Sequence, residues 1–302
     1  MVMVRTHELK AKGIGQGQIR RMLRDEKLHR LRRGAYLTEP DQGLARHRNL
    51  IAATAPQLGP GAVISHLSAA VLHGLPVSNA WLGRVTYTSP GKGGGRLGQS
   101  VHQYRTPLGA GDVETVARIR RTTLARTVLD LARTVPELGL AVAAADAALR
   151  KGLSREQLMA QLTAAPRRRG LAQARVVVEQ ADGGSESAGE SVSRVSLWQL
   201  GLPKPELQYE VEIDGVRYRA DFGWPLWQVL GEFDGKVKYG DLLAPGETAA
   251  DVVMREKRRE ALLRRQGWAV VRWTWPEAVN PQRLDLLLRP ELLKNGWRPD
   301  RV

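Results

Sequence analysis

The sequence contains no cysteine among its 302 residues, which limits the chemistry open to it. Disulfide frameworks, cysteine-ligated zinc fingers and cysteine-ligated iron–sulfur clusters are excluded. No apolar segment follows Met1, and no run approaches the roughly 18 uninterrupted apolar residues that a membrane span needs. We therefore expect a cytoplasmic protein.

Aromatic residues are also scarce, at 5% of the chain, whereas hydrophobic residues make up 42% and charged residues 25%. This composition is typical of a globular protein with a buried core and not of a disordered chain. The length predicts about two domains. The few aromatic residues form no base-stacking motif, so an RNA-binding module has less support than a DNA-binding one.

The positive charge is confined to one part of the chain. The net charge is +15, but residues 1–180 hold 28 basic and 12 acidic side chains, whereas residues 181–302 hold 18 and 19. Arginine outnumbers lysine 36 to 10, and its planar guanidinium suits phosphates and guanine edges. The first part is therefore predicted to bind double-stranded DNA. Arginine-rich codon usage is the alternative, but it does not predict a neutral C-terminal part.

Residues 1–40 predict a winged helix-turn-helix. Helices are expected at 6–12 and 16–26, and a two-stranded segment at 28–37 turns at Gly34. A plain helical hairpin with a solvated arginine face fits the pattern nearly as well. The residues predicted to contact DNA are Arg20, Arg21 and Arg24 on the second helix and Arg30, Arg32 and Arg33 in the hairpin.

Residues 41–165 predict a mixed α/β middle domain. Its helices are expected at 44–55, 65–72, 122–134 and 138–149, and its strands at 84–89 and 100–105. The glycine-rich loop between these strands lacks the spacing of a phosphate-binding loop and is predicted to be a hairpin tip. His66 and His73 are seven residues apart, a spacing that favours polar or packing contacts over a zinc pair.

A glycine and serine cluster predicts a linker at 166–187, with the domain boundary near Asp182. The remaining residues, 188–302, predict an α+β domain, so that the whole chain falls in the α/β (α+β) class. The Asp214-Gly215 pair is a strong hairpin signal. The expected elements are a helix at 189–200, strands at 208–213, 216–222 and 228–233, a helix at 251–266, a strand at 269–275 and a helix at 281–288.

Acidic residues follow the strands of this domain. Asp221 ends the second strand, and Glu232 and Asp234 share a face of the third, because side chains alternate along a strand. Lys236 and Lys238 continue the same period. Two or three converging carboxylates are what a Mg²⁺ site needs. Strand-terminal acids that are simply solvated, with Asp234-Gly235 as a turn, remain the alternative.

Three segments of this domain resemble the DUF559 family of the PD-(D/E)XK nuclease superfamily, which is related to very-short-patch repair endonucleases. They are SAGESVSRVSLWQLGLPKPELQYEVEIDGVRYRADFGWP, GEFDGKVKYG and REKRREALLRRQGWAVVRWTW. The resemblance implies that Glu190, Asp221, Glu232 and Asp234 bind Mg²⁺ or Mn²⁺. It also implies a lysine two residues after the last acid, and here either Asp234 occupies that position or Lys236 does. The histidine of the repair enzymes has no counterpart in this half.

Residues 6–149 resemble the AbiEi antitoxin family of type IV toxin–antitoxin systems. The segments concerned are GQIRRMLRDEKLHRLRRGAYL, SHLSAAVLHGLP, RRTTLARTVLDLA and DAALRKGL. The resemblance implies a protein that binds and represses its own promoter, with a nucleotidyltransferase-like toxin as a cognate partner. Fusion to a nuclease-like domain departs from that family.

Two functions follow as hypotheses. In the first, the chain is a metal-dependent DNA endonuclease in which Glu190, Asp221, Glu232 and Asp234 bind the metal and Lys236 polarises the scissile phosphate. In the second, it is a non-enzymatic transcriptional repressor or antitoxin with an inactive nuclease fold. DNA binding is common to both.

Overall fold

The computed structural model describes residues 2–91, 95–165, 169–235 and 249–299. Helices and mixed sheets alternate along the chain, so the predicted α/β (α+β) class is confirmed. The chain packs into two compact units. The N-terminal unit comprises Met1–Thr134 and Leu153–Ala174, and the C-terminal unit comprises Val135–Gly152 and Arg175–Val302. This division differs from the predicted boundary near Asp182.

The first 37 residues contain two helices and a three-stranded sheet. The elements are β1 (Met3–Arg5), α1 (Thr6–Ala11), α2 (Gln16–Arg24), β2 (His29–Arg32) and β3 (Ala35–Leu37). The strand order is β1-β3-β2, and both pairs are antiparallel. The helices and the hairpin lie where the sequence predicts them, whereas β1 was not predicted. Leu9, Ile19, Leu28 and Tyr36 form a small apolar core beneath the helices.

A six-stranded sheet follows, in the order β6-β7-β5-β4-β9-β8. Its elements and the next helices are α3 (Gly43–Thr54), β4 (Val63–Ile64), α4 (His66–His73), β5 (Val85–Ser89), β6 (Arg96–Leu97), β7 (Val101–Arg105), β8 (Val113–Val116), β9 (Ile119–Thr122), α5 (Leu124–Thr134), α6 (Leu138–Arg150), α7 (Arg155–Ala164) and α8 (Leu171–Gln180). The predicted hairpin across the glycine-rich loop is wrong, because β5 and β7 pair in parallel. The antiparallel partner of β7 is the short β6, and residues 92–94 of the loop lie outside the described residues.

The C-terminal unit contains a four-stranded sheet in the order β10-β11-β12-β13. Its elements are α9 (Ala188–Gln199), β10 (Glu206–Ile213), β11 (Val216–Trp224), β12 (Val229–Phe233), α10 (Ala249–Arg265), β13 (Ala269–Trp273), α11 (Trp275–Ala278) and α12 (Pro281–Lys294). The predicted helices and strands occur in the predicted order, whereas the short helix α11 was not predicted. Asp214 and Gly215 both have positive φ, at 52° and 77°, as a two-residue hairpin turn with the strand twist requires.

Two apolar clusters bury this sheet. Phe222, Trp224 and Trp273 pack with residues of α9 and α12, while Val211 and Leu230 pack with α10 in the second cluster. Helices therefore contribute to both clusters, as expected for an α/β arrangement. In the described ranges, no helix is long and apolar enough to cross a membrane.

A buried ion pair joins α6 to α9 within the C-terminal unit. The Arg194 guanidinium donates to Asp146 Oδ2 at 2.7 Å and to the Gln180 carbonyl at 2.6 Å. The Asp182 amide donates to Asp146 Oδ1 at 2.7 Å. Residues that the sequence predicts to be a linker are thus bonded to the interior of this unit, and α8 occupies part of the same stretch.

Candidate functional site

The predicted acids of the C-terminal unit gather around Phe233, the last residue of β12. The Phe233 amide donates to Asp221 Oδ2 of β11 at 2.7 Å. The Phe233 ring lies against Gly189 of α9, where an added Cβ would overlap it, and Gly189 directly precedes Glu190. Glu232 directly precedes Phe233. Glu190 and Glu232 lie near enough to Asp221 at this end of the sheet for their charges to raise its pKa.

Glu190 is buried in the first turn of α9, with 6% of its surface exposed. The helix begins there because the Ser187 side chain accepts a hydrogen bond from the Glu190 amide at 3.2 Å. Glu190 Oε2 accepts hydrogen bonds from the Glu186 amide at 2.7 Å and from Gln208 Nε2 at 2.8 Å. Neutral donors thus hold the carboxylate in a fixed orientation.

Asp221 carries the clearest electrostatic signature of the site. Burial is the largest of the effects that raise the pKa of Asp221 to about 6, and the negative charges of Glu190 and Glu232 contribute to this rise. The bond from the Phe233 amide and the charge of Arg219 oppose this rise. Carboxylates that repel one another favour a bound proton or cation, and such groups are concentrated at functional sites.

Glu232 is paired with two arginines. Its Oε1 lies 2.6 Å from Arg259 on α10, and its Oε2 lies 2.7 Å from Arg272 on β13. Arg272 also contacts Glu260 at 2.5 Å, and Glu260 contacts Arg264 at 2.8 Å. The predicted metal ligand Glu232 is therefore part of an ion-pair network. Neither of these pairings was predicted from the sequence.

Asp234 and Lys236 complete the predicted site. The Asp234 amide donates to the Trp273 carbonyl at 2.8 Å, and the residue is exposed just beyond the end of β12. Lys236 and the neighbouring Lys238 lie outside the described residues. In the described ranges, no group of three or more Asp, Glu, His or Cys side chains is arranged to hold a metal ion. The metal site stays a prediction, although its oxygen donors are of the type that Mg²⁺ prefers.

The arginines predicted to contact DNA fall into two classes. Five are exposed on α2 and on the hairpin: Arg20, Arg21, Arg24, Arg30 and Arg33. A contact of Arg32 with DNA stays a prediction, but the residue is half-buried and its NH1 donates inward to Thr54 Oγ1 of α3 at 2.8 Å. Burial lowers the pKa of Arg32. The physical reason is a shift of register between Arg30 and Arg32, which breaks the strict alternation of faces along β2.

His66 and His73 make separate polar contacts. His66 Nδ1 lies 2.9 Å from Ser65 Oγ, and His73 Nε2 lies 2.8 Å from the Thr122 carbonyl. These are contacts of the kind that their spacing predicts.

Comparison with known proteins gives relatives without an assigned function. No protein-family profile matches the chain. It is 33% identical over 177 residues to the uncharacterized proteins MT2308 and Rv2248 from two strains of Mycobacterium tuberculosis. The match covers 58% of this chain and spans 60% of the length of these relatives. The crystal structure of the RV2827C protein from Mycobacterium tuberculosis is similar at a TM-score of 0.41 and 15% identity, over 71% of this chain and 85% of that one.

Proposed function

We propose that this chain is a DNA-binding protein whose C-terminal unit hydrolyses phosphodiester bonds with a divalent metal ion. The observation that carries the hydrolytic part is the position of Asp221, which accepts a bond from the Phe233 amide and lies near enough to Glu190 and Glu232 for their charges to raise its pKa. The observation that supports DNA binding is the set of five exposed arginines on α2 and the hairpin. Double-stranded DNA is the substrate in this proposal.

The exposed arginines of the N-terminal unit and the shape of its second helix support DNA binding. A helix fits the major groove, and exposed arginines on it contact phosphates or guanine edges. Arg24 of this set lies 4.0 Å from Asp25, and both side chains are exposed. An exposed pair of this kind is weak and screened by salt, so Arg24 can exchange it for a phosphate.

In the hydrolytic site, Glu190 and Asp221 would bind Mg²⁺ or Mn²⁺, with Glu232 and Asp234 as further ligands. Bound at these residues, the cation would lower the pKa of a water molecule and offset the charge of the phosphate. Gln208 and the Glu186 amide orient Glu190, and the Phe233 amide orients Asp221.

The arginines of the site have a separate role in this proposal. Arg259 and Arg272 concentrate positive charge beside Glu232, where it stabilises the developing charge on the phosphate. Lys236 is the further cation in the proposal, at the position where the nuclease family carries a lysine.

The test is cleavage of supercoiled plasmid with Mg²⁺ or Mn²⁺. The intact protein should nick the plasmid only with metal, and Asp221→Asn should reduce the rate by at least roughly a hundredfold, because it removes a ligand charge. Asp214→Asn is the matched control, since an Asn-Gly pair keeps the hairpin turn while one carboxylate is removed. Equal cleavage by Asp221→Asn and the intact protein would overturn the assignment of the site.

A second function is favoured by a specific observation. Glu232 is bonded to two arginines, and the described residues contain no group arranged for a metal. Both facts fit a transcriptional repressor of antitoxin type, whose nuclease-like unit is inactive and whose partner is a nucleotidyltransferase-like toxin. This alternative predicts that the intact protein shifts DNA from its own upstream region but never nicks it with either metal.

A further inference from the structure

A cavity of about 170 Å³ in the N-terminal unit has no role in the proposed function. Its wall includes four arginines, namely Arg105, Arg126, Arg133 and Arg169, together with His66 and Asp130. We call it the arginine pocket. Arg105 and Arg169 are exposed, whereas Arg126 and Asp130 are buried. Arg126 is paired with Asp130 at 2.9 Å and with Asp112 at 3.0 Å, so four guanidiniums are opposed by two carboxylates. The pocket keeps an excess of positive charge, as a site for an oxyanion requires.

Asp130 places a buried hydrogen-bond acceptor without a donor beside this pocket. Its Oδ1 accepts a hydrogen bond from Arg126 Nε at 2.9 Å, whereas its buried Oδ2 accepts none from the described residues. His66 Nδ1 lies 3.7 Å from this oxygen but is hydrogen-bonded to Ser65 Oγ. A buried acceptor without a donor is costly, so a ligand that brings a proton donor to it would be favoured.

His66 lies on the wall of the pocket in an uncommon backbone conformation. Its φ is +49°, in the left-handed region that favours glycine. Its ring stacks on Tyr104 with 3.5 Å between the ring centroids, and Tyr104 in turn stacks on His102. Burial lowers the pKa of His66 to about 4, so the imidazole is neutral. Backbone strain that packing maintains is concentrated at functional sites.

We propose that the arginine pocket binds an oxyanion that carries a proton, namely hydrogen phosphate, either free or as the protonated end of a phosphate monoester. The arginines bind the charged oxygens, and Asp130 accepts the hydrogen bond of the P–O–H group. Sulfate and phosphodiesters carry no proton near neutral pH, so each would place an acceptor against the Asp130 carboxylate. The pocket therefore distinguishes phosphate from sulfate and from a DNA backbone.

The experiment is calorimetric titration of the full chain at pH 6, where about half of a phosphate monoester retains a proton. The ligands are inorganic phosphate, ribose 5-phosphate, sulfate and dimethyl phosphate. We expect phosphate to bind at least roughly tenfold more tightly than sulfate or dimethyl phosphate, which is the value of one charge-assisted hydrogen bond. Tighter binding of ribose 5-phosphate than of phosphate would support the proposal and identify a monoester as the ligand.

Variants assign the binding to the pocket. Arg105→Ala and Arg169→Ala should each weaken phosphate binding roughly tenfold, whereas Arg155→Ala, an exposed arginine on α7, should not. Asp130→Asn should abolish the preference for phosphate over sulfate. If that variant does not fold, the preference of the intact protein decides the matter. Equal binding of sulfate or dimethyl phosphate, no binding of phosphate, or phosphate binding that is unchanged in Arg105→Ala and Arg169→Ala would overturn the proposal.

Discussion

At Asp221, burial and two neighbouring negative charges couple the stability of the fold to pH. The folded chain holds its proton up to about pH 6, whereas the usual aspartate pKa is 3.8. Between these values the folded state binds more protons than the unfolded state, so stability falls as pH rises from about 4 to about 6. The decrease is at most about 3 kcal/mol, from roughly two pKa units at 1.36 kcal/mol each.

Asp221→Asn should therefore stabilise the protein above pH 6 and have little effect near pH 4, since an amide stays neutral and still accepts the bond from Phe233. The measurement is the unfolding midpoint at pH 4.5 and pH 7.5 with a chelator present. Asp214→Asn, at an exposed turn, should show no such dependence. If Asp221→Asn changes the unfolding midpoint by the same amount at both pH values, Asp221 does not couple stability to pH.

Individual residues show which features of the sites could be predicted from the sequence and which could not. Asp221 could be chosen because an acid at a strand end has a chemical meaning of its own, whereas Glu190 was indicated by the resemblance to the DUF559 family. The inward position of Arg32 could not be predicted, because it depends on a register shift in a hairpin. The pairing of Glu232 with Arg272 could not be predicted either, because it follows from the parallel register of strands 40 residues apart.

At the scale of elements, α2 is the helix that the account assigns to DNA. The triple variant Arg20→Ala, Arg21→Ala, Arg24→Ala should weaken binding in a mobility shift and lower the salt slope by about one unit for each phosphate that the missing arginines neutralise. The control removes the same charge from exposed positions of the C-terminal unit, with Lys204→Ala, Arg217→Ala and Lys294→Ala. Identical salt slopes for the two triple variants would show that the arginines of α2 do not contact DNA.

The packing of α6 on α9 gives a prediction about stability. Asp146→Ala leaves Arg194 as a buried charge without its carboxylate, which should destabilise the C-terminal unit by about 3 to 5 kcal/mol. Asp146→Leu combined with Arg194→Met should cost less than either single change, because a paired apolar replacement leaves no buried charge. Additive effects in chemical denaturation would show that the ion pair is not coupled.

Most helices and strands were predictable because periodicity and turn residues are local signals, as for α4, which begins after Ser65 and ends at Gly74. The unpredicted strands β1, β4, β6, β8 and β9 are two to four residues long and carry too little pattern. The helix α6 was predicted, but its place in the C-terminal unit was not. An apolar stripe indicates that a helix face is covered and does not indicate which segment covers it.

In the whole molecule, the basic residues and the two compact units divide the chain at different positions. The excess of basic residues ends near residue 180, whereas the C-terminal unit also takes residues 135–152. The account assigns DNA binding to the basic N-terminal part and hydrolysis to the near-neutral C-terminal part. We propose that hydrolysis depends on a divalent metal ion bound by the carboxylates around Phe233.

Calorimetric titration of Mn²⁺ into the intact chain measures this binding. The account predicts a saturable site in the intact protein that is retained in Asp214→Asn and abolished, or weakened at least roughly tenfold, in Asp221→Asn, because a carboxylate ligand is removed. Mn²⁺ binding that is the same in Asp221→Asn as in the intact protein, or absent from both, would contradict it.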